Sequence, residues 1–410
     1  MKYDIVVIDT AERLSDARVL EQAAMKLPKL EDMLVMNGLP NAFVPASDKK
    51  FKEDLIYWDE FFIMQGMRKM GSEAYHAMKG IVDDFFVLRE KHRHVPNGST
   101  TYTGRSQPPF LGPMVVLVHE LLQDKEWLSK GYENVKREHL DVWLGEDRLT
   151  ANGLSRYYHD NEPLNVVHGL QYGAVQESGW DDSMRWEEKA HHVNPIDLNA
   201  FLYMTGLHLA DMADTLGIQE RDWRKAAASR METINELMWD GEQGMFFDYD
   251  YEAGERLSSW TLAGYAPMWA GLADQAQAEK LVQNLYVFER ENGLAATEKR
   301  LSAPGYQWGY PNGWAPLHFL VIKGLRNYGF DEDADRIQLK WLRATAEEVV
   351  NGNGWSEKIS VVPTLDRIDD KRYDHQTQTY WTSEVFRELY ADAVDRELIP
   401  APSLEYHVVA

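Results

Sequence analysis

The chain contains no cysteine among its 410 residues. This excludes disulfides, thiolate metal sites and a cysteine nucleophile, and it fits a reducing compartment. Positive charge is also scarce. Lys and Arg number 43 against 66 Asp and Glu, giving a formal net charge of -23 at pH 7. Such a surface repels nucleic acid and anionic membranes, so neither is expected as a partner, and keeping the chain soluble is the simplest use of the charge. No apolar run reaches the roughly 18 residues of a transmembrane helix. The opening "MKYDIVVIDTAERLSD" has only a short apolar run between Asp4 and Asp9 and lacks a signal-peptide cleavage pattern, so a cytoplasmic location is expected. There is no HExxH motif and no Gly-rich phosphate loop followed by lysine. The acidic run "DYDYEAGE" from Asp248 lacks the glycine and glutamate positions of a calcium loop. The histidine pairs His92/His94 and His191/His192 read as solvated or core residues. Neither metal nor cofactor is expected. Strand-like alternation is confined to "MKYDIVVI" and "KISVVP" near Val361.

Helical periodicity fills most of the rest. Hydrophobic residues make up 44% of the chain, enough for a large core. Leu198, Leu202, Thr205, Leu209, Met212 and Leu216 recur at steps of four and three, which places them on one helical face. Ala334, Ile337, Trp341 and Ala344 repeat the pattern after the acidic start "DEDAD", where carboxylates favour a helix N-terminus. About a dozen such segments occur, with no fixed-period repeat and no low-complexity linker. The expectation is one all-α domain over residues 1–410, with residues 1–15 as a short extension. A dozen helices can pair as six inner and six outer helices, although periodicity does not choose this closed toroid over another bundle.

The loops carry the unusual residues. "FKEDLIYWDEFF", "HVPNGSTTYTGRSQPPFL", "QESGWDDSMRW", "QWGYPNGWAPLH" and "NGNGWSEKIS" each combine Trp or Tyr with carboxylate, amide or guanidinium groups and with Gly or Pro. Aromatic faces beside planar hydrogen-bonding groups suit a sugar, whose C–H surface stacks on a ring. Glycoside hydrolysis needs two carboxyl groups in different protonation states. Asp181 lies between Trp180 and Asp182, with Trp186 nearby, and apolar walls there would favour the protonated acid. Glu357 precedes Lys358 in a Gly/Asn-rich loop, where the cation and some exposure would keep it ionised.

Taken together the loops resemble the trehalase family of glycoside hydrolases over most of the chain. "QW" followed by "YPNGWAPL" is similar to one family signature. "FKE" with "YWD" is similar to the core of another, "ESGWD" with "S-x-RW" to the general-acid loop, and "PNG" with "RSQPPF" to a further active-site loop. "PIDLNAFLY" and "WDGEQGMFFDYD" are also family-like, and "EKI" resembles the base-bearing "EKY". The resemblance implies an (α/α)6 barrel with catalytic loops at one mouth and metal-free inverting hydrolysis of an α-glucoside. Asp181 would be the acid and Glu357 the base, roughly 6.5–9.5 Å apart. Trp58, Asp59, Asn97, Arg105, Gln107 and Trp314 would line the glycone subsite, with Trp180, Arg185 and Trp308 from the same motifs. Glu384, in "YWTSEVF", is the competing base.

Several positions depart from the family pattern. Lys50 in "PASDKKF" replaces a Gly-Gly-Arg, "HDNEPLN" has no counterpart of an expected arginine, and Gly309 and His318 stand where Asp and Gln are usual. "DDKRYDHQTQTYWTSE" occupies the place of a Gly-rich lid. The reading is a retained glycone site and a rebuilt leaving-group site, with trehalose or a trehalose-like disaccharide as first substrate. Glucosylglycerate or mannosylglycerate is the alternative, its anionic leaving group meeting Lys50, Lys371 and Arg372. A catalytically inactive carbohydrate-binding protein would keep the aromatics and lose an acid or base, but both carboxylates are present. An epimerase would need histidines, and none lies at the acid or base positions.

Overall fold

The computed structural model describes residues 10–159, 166–186, 188–369 and 374–401. Its helices divide into two layers because their sequences divide the same way. Helix α2 (Tyr57–Met67) is buried at every position, and the first eleven residues of α7 (Ile196–Leu216) are buried too. Helices this apolar all round belong inside. By contrast α5 (Lys125–Arg137) and α8 (Trp223–Met238) bury single stripes. In α8 these are Trp223, Ala227, Arg230, Ile234 and Met238, and each helix begins with an aspartate cap, Asp124 or Asp222, that accepts a backbone N–H.

The inner helices close a ring. α2 packs on α4 (Leu111–Leu122), α4 on α7, α7 on the short α9 (Ala266–Trp269), α9 on α11 (Ala315–Asn327), α11 on α13 (Tyr380–Asp395), and α13 returns to α2. That last contact is close. A Cβ on Gly66 would sit 2.4 Å from the Glu384 carbonyl oxygen. Around the ring lie α1 (Thr10–Ala24), α3 (Ser72–His92), α5, α8, α10 (Gln275–Gln283) and α12 (Asp331–Val350). The fold is therefore an (α/α)6 barrel. α6 (Val166–Glu177) belongs to neither layer and packs on a short helical turn at Ala190–His192.

The predicted faces hold. Leu198, Leu202, Thr205, Leu209 and Met212 are buried, with Leu216 partly buried at the end, and Ala334, Ile337, Trp341 and Ala344 are buried too. Residues 10–15, expected in an extension, are the first turns of α1, which packs on α12. The strand-like "MKYDIVVI" lies outside the described residues. "KISVVP" contributes β2 (Lys358–Ser360), paired antiparallel with β1 (Asn312–Trp314), so that Trp314 faces Lys358 across the ribbon. Among the described residues no helix is long and apolar enough to cross a membrane, and no group of three or more His, Cys, Asp or Glu could hold a metal ion.

Candidate active site

One wall of the main pocket comes from the start of α2 and the loop 97–107. The Tyr57 N–H donates to the Asn97 carbonyl at 2.9 Å, and the Trp58 N–H donates to Gln107 Oε1 at 3.2 Å. Buried Asp54 gathers the same loop by accepting the Thr100 N–H at 2.8 Å and the Thr101 N–H at 3.1 Å. These bonds turn Trp58, Asp59, Asn97 and Gln107 toward one cavity.

The loop carrying Asp181 crosses over Trp58. Gly179 allows this. Its φ is +74°, and a Cβ there would lie 2.9 Å from the Trp58 indole. Asp182 adopts φ +54°, a left-handed conformation that Asp tolerates better than most residues, and it turns the chain directly after Asp181. The loop is anchored by Arg185. This fully buried guanidinium makes bidentate pairs with Asp197 (2.7 and 2.8 Å) and with Asp248 (both 2.7 Å), between the rings of Trp180 and Trp186. Burial alone would lower its pKa, but Asp197 and Asp248 hold it above its ordinary value, so it is a permanent cation.

The opposite wall is the ribbon bearing Glu357. Lys358 is completely buried, and its ammonium donates to Glu357 Oε2 at 2.9 Å and to Gln307 Oε1 at 3.0 Å. It also stands 5.2 Å above the Trp314 ring. Trp314 is stacked on Trp308 at 3.9 Å with the rings 1° from parallel, and Trp308 in turn stacks on Trp180 at 5.2 Å and 27°. Arg185 lies 4.9 Å from the far end of this stack. A column of three indoles with a cation at each end thus joins the Asp181 loop to the Glu357 ribbon. Trp381 meets Trp314 and Trp308 edge-on. Trp308 stacks on Trp180 and on Trp314, and both Trp308 and Trp314 line the cavity.

The cavity, about 790 Å³ including its open mouth, is lined by Lys50, Trp58, Asp59, Asn97, Gln107, Asp181, Trp308, Trp314 and Glu357. Three carboxyl groups from three chain segments therefore share it. Asp59 is pushed well above the usual carboxylate range, first by burial, then by the charges of Glu357 and Asp181. This favours its protonated form. Glu357 is more buried than its sequence context implied, at 7% exposure, but the expected cation is beside it. Trp180 and Trp186, expected as apolar walls of Asp181, each lie close to the Arg185 guanidinium, at 4.9 and 4.7 Å.

Other expected residues stand elsewhere. Trp180 and Arg185 are buried behind the wall, and Arg105 is held there too. Its guanidinium donates to Asn97 Oδ1 at 3.2 Å and lies 4.4 Å from the Tyr102 ring. Glu384 is not at the pocket. It is fully buried against Gly66 and paired with Arg387 at 2.8 Å. His318 and Gly309, read as leaving-group changes, are packing residues. His318 Nε2 accepts the Leu294 N–H at 2.8 Å, so its Nδ1–H donates to the Trp314 carbonyl at 2.8 Å, and burial lowers its pKa to about 4. A Cβ on Gly309 would meet the Leu301 carbonyl at 2.5 Å. Lys371, Arg372 and residues 160–165 lie outside the described residues. Ser47, Gln307, Gln376, Thr379 and Trp381 line the cavity unforeseen. Of these, Gln307, Thr379 and Trp381 lay in or beside an aromatic motif that could have flagged them.

Comparison with known proteins agrees with this arrangement. The sequence profile of the trehalase family matches residues 11–166 and 169–390. Among solved structures, the neutral trehalase of Saccharomyces cerevisiae superposes with a TM-score of 0.76 at 24% identity, over 93% of this chain and 82% of that one. The GH63 mannosylglycerate hydrolase of Thermus thermophilus, in complex with Tris and D-glycerate, gives 0.68 at 18% identity, over 91% of this chain and 100% of that one. At these identities the superpositions speak for the shared fold, whereas the profile spans nearly the whole chain. The barrel, the loops at its mouth and the family match lead to one conclusion: this chain belongs to the trehalase family and is a glycoside hydrolase.

Proposed function

We propose that the protein is an inverting α-glycosidase acting on a small α-glucoside, trehalose or a trehalose-like disaccharide first. Asp181 delivers a proton to the glycosidic oxygen as the C–O bond breaks. Glu357 takes a proton from the water that attacks the anomeric carbon on the opposite face. Lys358, itself held by Gln307, fixes the orientation of Glu357, and the column of Trp180, Trp308 and Trp314 keeps the two loops in register. A neutral Asp59 has a proton to donate to a glycone hydroxyl, with Asn97 and Gln107 as further polar partners. The observation that carries this reading is the convergence of Asp181 and Glu357, from separate loops, on one cavity.

A glucosylglycerate or mannosylglycerate substrate is the second reading. It is favoured by exposed Lys50, a cation among the lining residues that could meet an anionic leaving group. Proton NMR of the reaction with trehalose, kojibiose, glucosylglycerol, glucosylglycerate and mannosylglycerate separates the two. Inversion requires that trehalose release α- and β-glucose in equal amounts at first, the β-anomer from the attacked ring and the α-anomer from the leaving ring, and that a glucoside of a non-sugar alcohol release β-glucose first. Initial release of the α-anomer alone would overturn the mechanism, and turnover of the glycerates alone would overturn the first substrate.

A further inference from the structure

The segment bearing Glu357 has a second face. Residues 354–357 run beside residues 376–379, joined by the Glu357 N–H to the Gln376 carbonyl at 3.0 Å and the Thr379 N–H to the Trp355 carbonyl at 3.0 Å. Successive side chains of an extended segment point to opposite sides. Glu357 and Gln376 face the sugar cavity, so Ser356, His375 and Thr377 face away, into a separate cleft of about 530 Å³ that Arg367 and Asn353 also line.

The groups offered there are mostly hydrogen-bond donors. Ser356 is 2% exposed, and among the described residues its Oγ has no partner. Both ring nitrogens of His375 are likewise buried without a hydrogen bond, Nδ1 standing 3.6 Å from Asp369 Oδ1. Arg367 gives its Nε to Asp369 at 3.2 Å, and among the described residues its Nη atoms carry no hydrogen bond. Lys49 reaches Thr377 Oγ1 at 3.2 Å. Burial, then the cations Arg367 and Lys358, push His375 down to about 4. Asp369 opposes them, and Lys49 adds to the lowering. The lining thus offers one guanidinium, which shares Asp369, and several neutral donors.

We propose that this cleft binds a small oxyanion, a carboxylate or phosphate group, through the Arg367 guanidinium, the Ser356 hydroxyl and a His375 ring N–H. Arg367 supplies the charge-assisted bond that dominates affinity, and Ser356 and His375 gain the partner they lack. The site lies one peptide from Glu357, yet its existence does not depend on which sugar the neighbouring cavity cleaves.

The test is a titration of the full chain with inorganic phosphate and, separately, with acetate at constant ionic strength. It follows the His375 ring resonances, assigned by their loss in His375→Asn. Saturable shifts with a Kd of about 1 mM or tighter are expected for one anion or both, the tighter of them naming the source. Arg367→Gln should weaken binding about tenfold or more while leaving sugar hydrolysis without anion unchanged. Ser356→Ala should weaken it a few-fold. Linear shifts up to about 10 mM, or a Kd unaltered in Arg367→Gln, would overturn the proposal.

Discussion

Glu138 offers a direct measurement of what the interior costs this protein. It follows α5 in a π-helical segment, is 1% exposed, and accepts the Tyr57 hydroxyl at 2.7 Å. The Tyr57 oxygen in turn accepts the Leu111 N–H at 2.7 Å, so this chain of bonds holds the start of the helix bearing Trp58 and Asp59. Burial raises the Glu138 pKa from 4.5 to about 7, with Tyr57 pulling the other way. A carboxyl raised on folding contributes stability that is fully present below the unfolded value and is lost as pH rises toward the folded one. Integrating the proton linkage between those values gives a penalty of about 1 kcal/mol at pH 5 and about 3 kcal/mol at pH 8. Glu138→Gln cannot ionise and removes it. Fitting the amide adds its own cost, but that cost is independent of pH. Urea unfolding of both proteins at pH 5 and pH 8 should therefore show the variant gaining about 2–3 kcal/mol on the parent between the two. An equal difference at both values would mean that Glu138 is ionised in the fold throughout, and the reasoning about burial would fail.

Three further outcomes are expected. Asp181→Asn and Glu357→Gln should each lower kcat by about 10²–10⁴ while calorimetry still detects sugar binding, and full activity in either would remove that residue from the mechanism. Asp59→Asn keeps a neutral group of the same shape, so kcat/KM should stay within about tenfold of the parent and exceed that of Asp59→Ala. An Asn variant as impaired as the Ala variant would mean that the carboxylate acts as an anion. Arg185→Ala strands two buried carboxylates and should cost about 3–5 kcal/mol in urea unfolding; a change under about 1 kcal/mol would show that the Asp197 and Asp248 pairs are not holding the loop.

Residues whose surroundings are local were the ones legible in the sequence. The stripe on α7 is set by helical period, and the cation beside Glu357 is its own chain neighbour. Gly179 and Asp182 sit within a recognisable turn. Arg185 shows where such reading stops. It lies in a motif rich in sugar-binding residue types, yet one of its partners, Asp248, is 63 residues away. His318 looked like a subsite change because its backbone partner, the Leu294 N–H, comes from another segment. Gln376 reaches the cavity only because residues 376–379 pair with the Glu357 segment.

Helical period and composition were enough to read an all-helical chain without metal or disulfide motifs, with sugar-type chemistry concentrated in its loops. Period, composition and short motifs are properties of neighbours along the chain, and they survive without coordinates. Which residues of each loop face the cavity and which face the protein was settled by the fold. It stacked Trp180, Trp308 and Trp314 in one column, and it moved Arg185 and Glu384 out of the site into buried ion pairs. It also placed Asp59 in one cavity with two other acids. Each of these depends on distances between segments far apart in sequence, set by closure of the barrel.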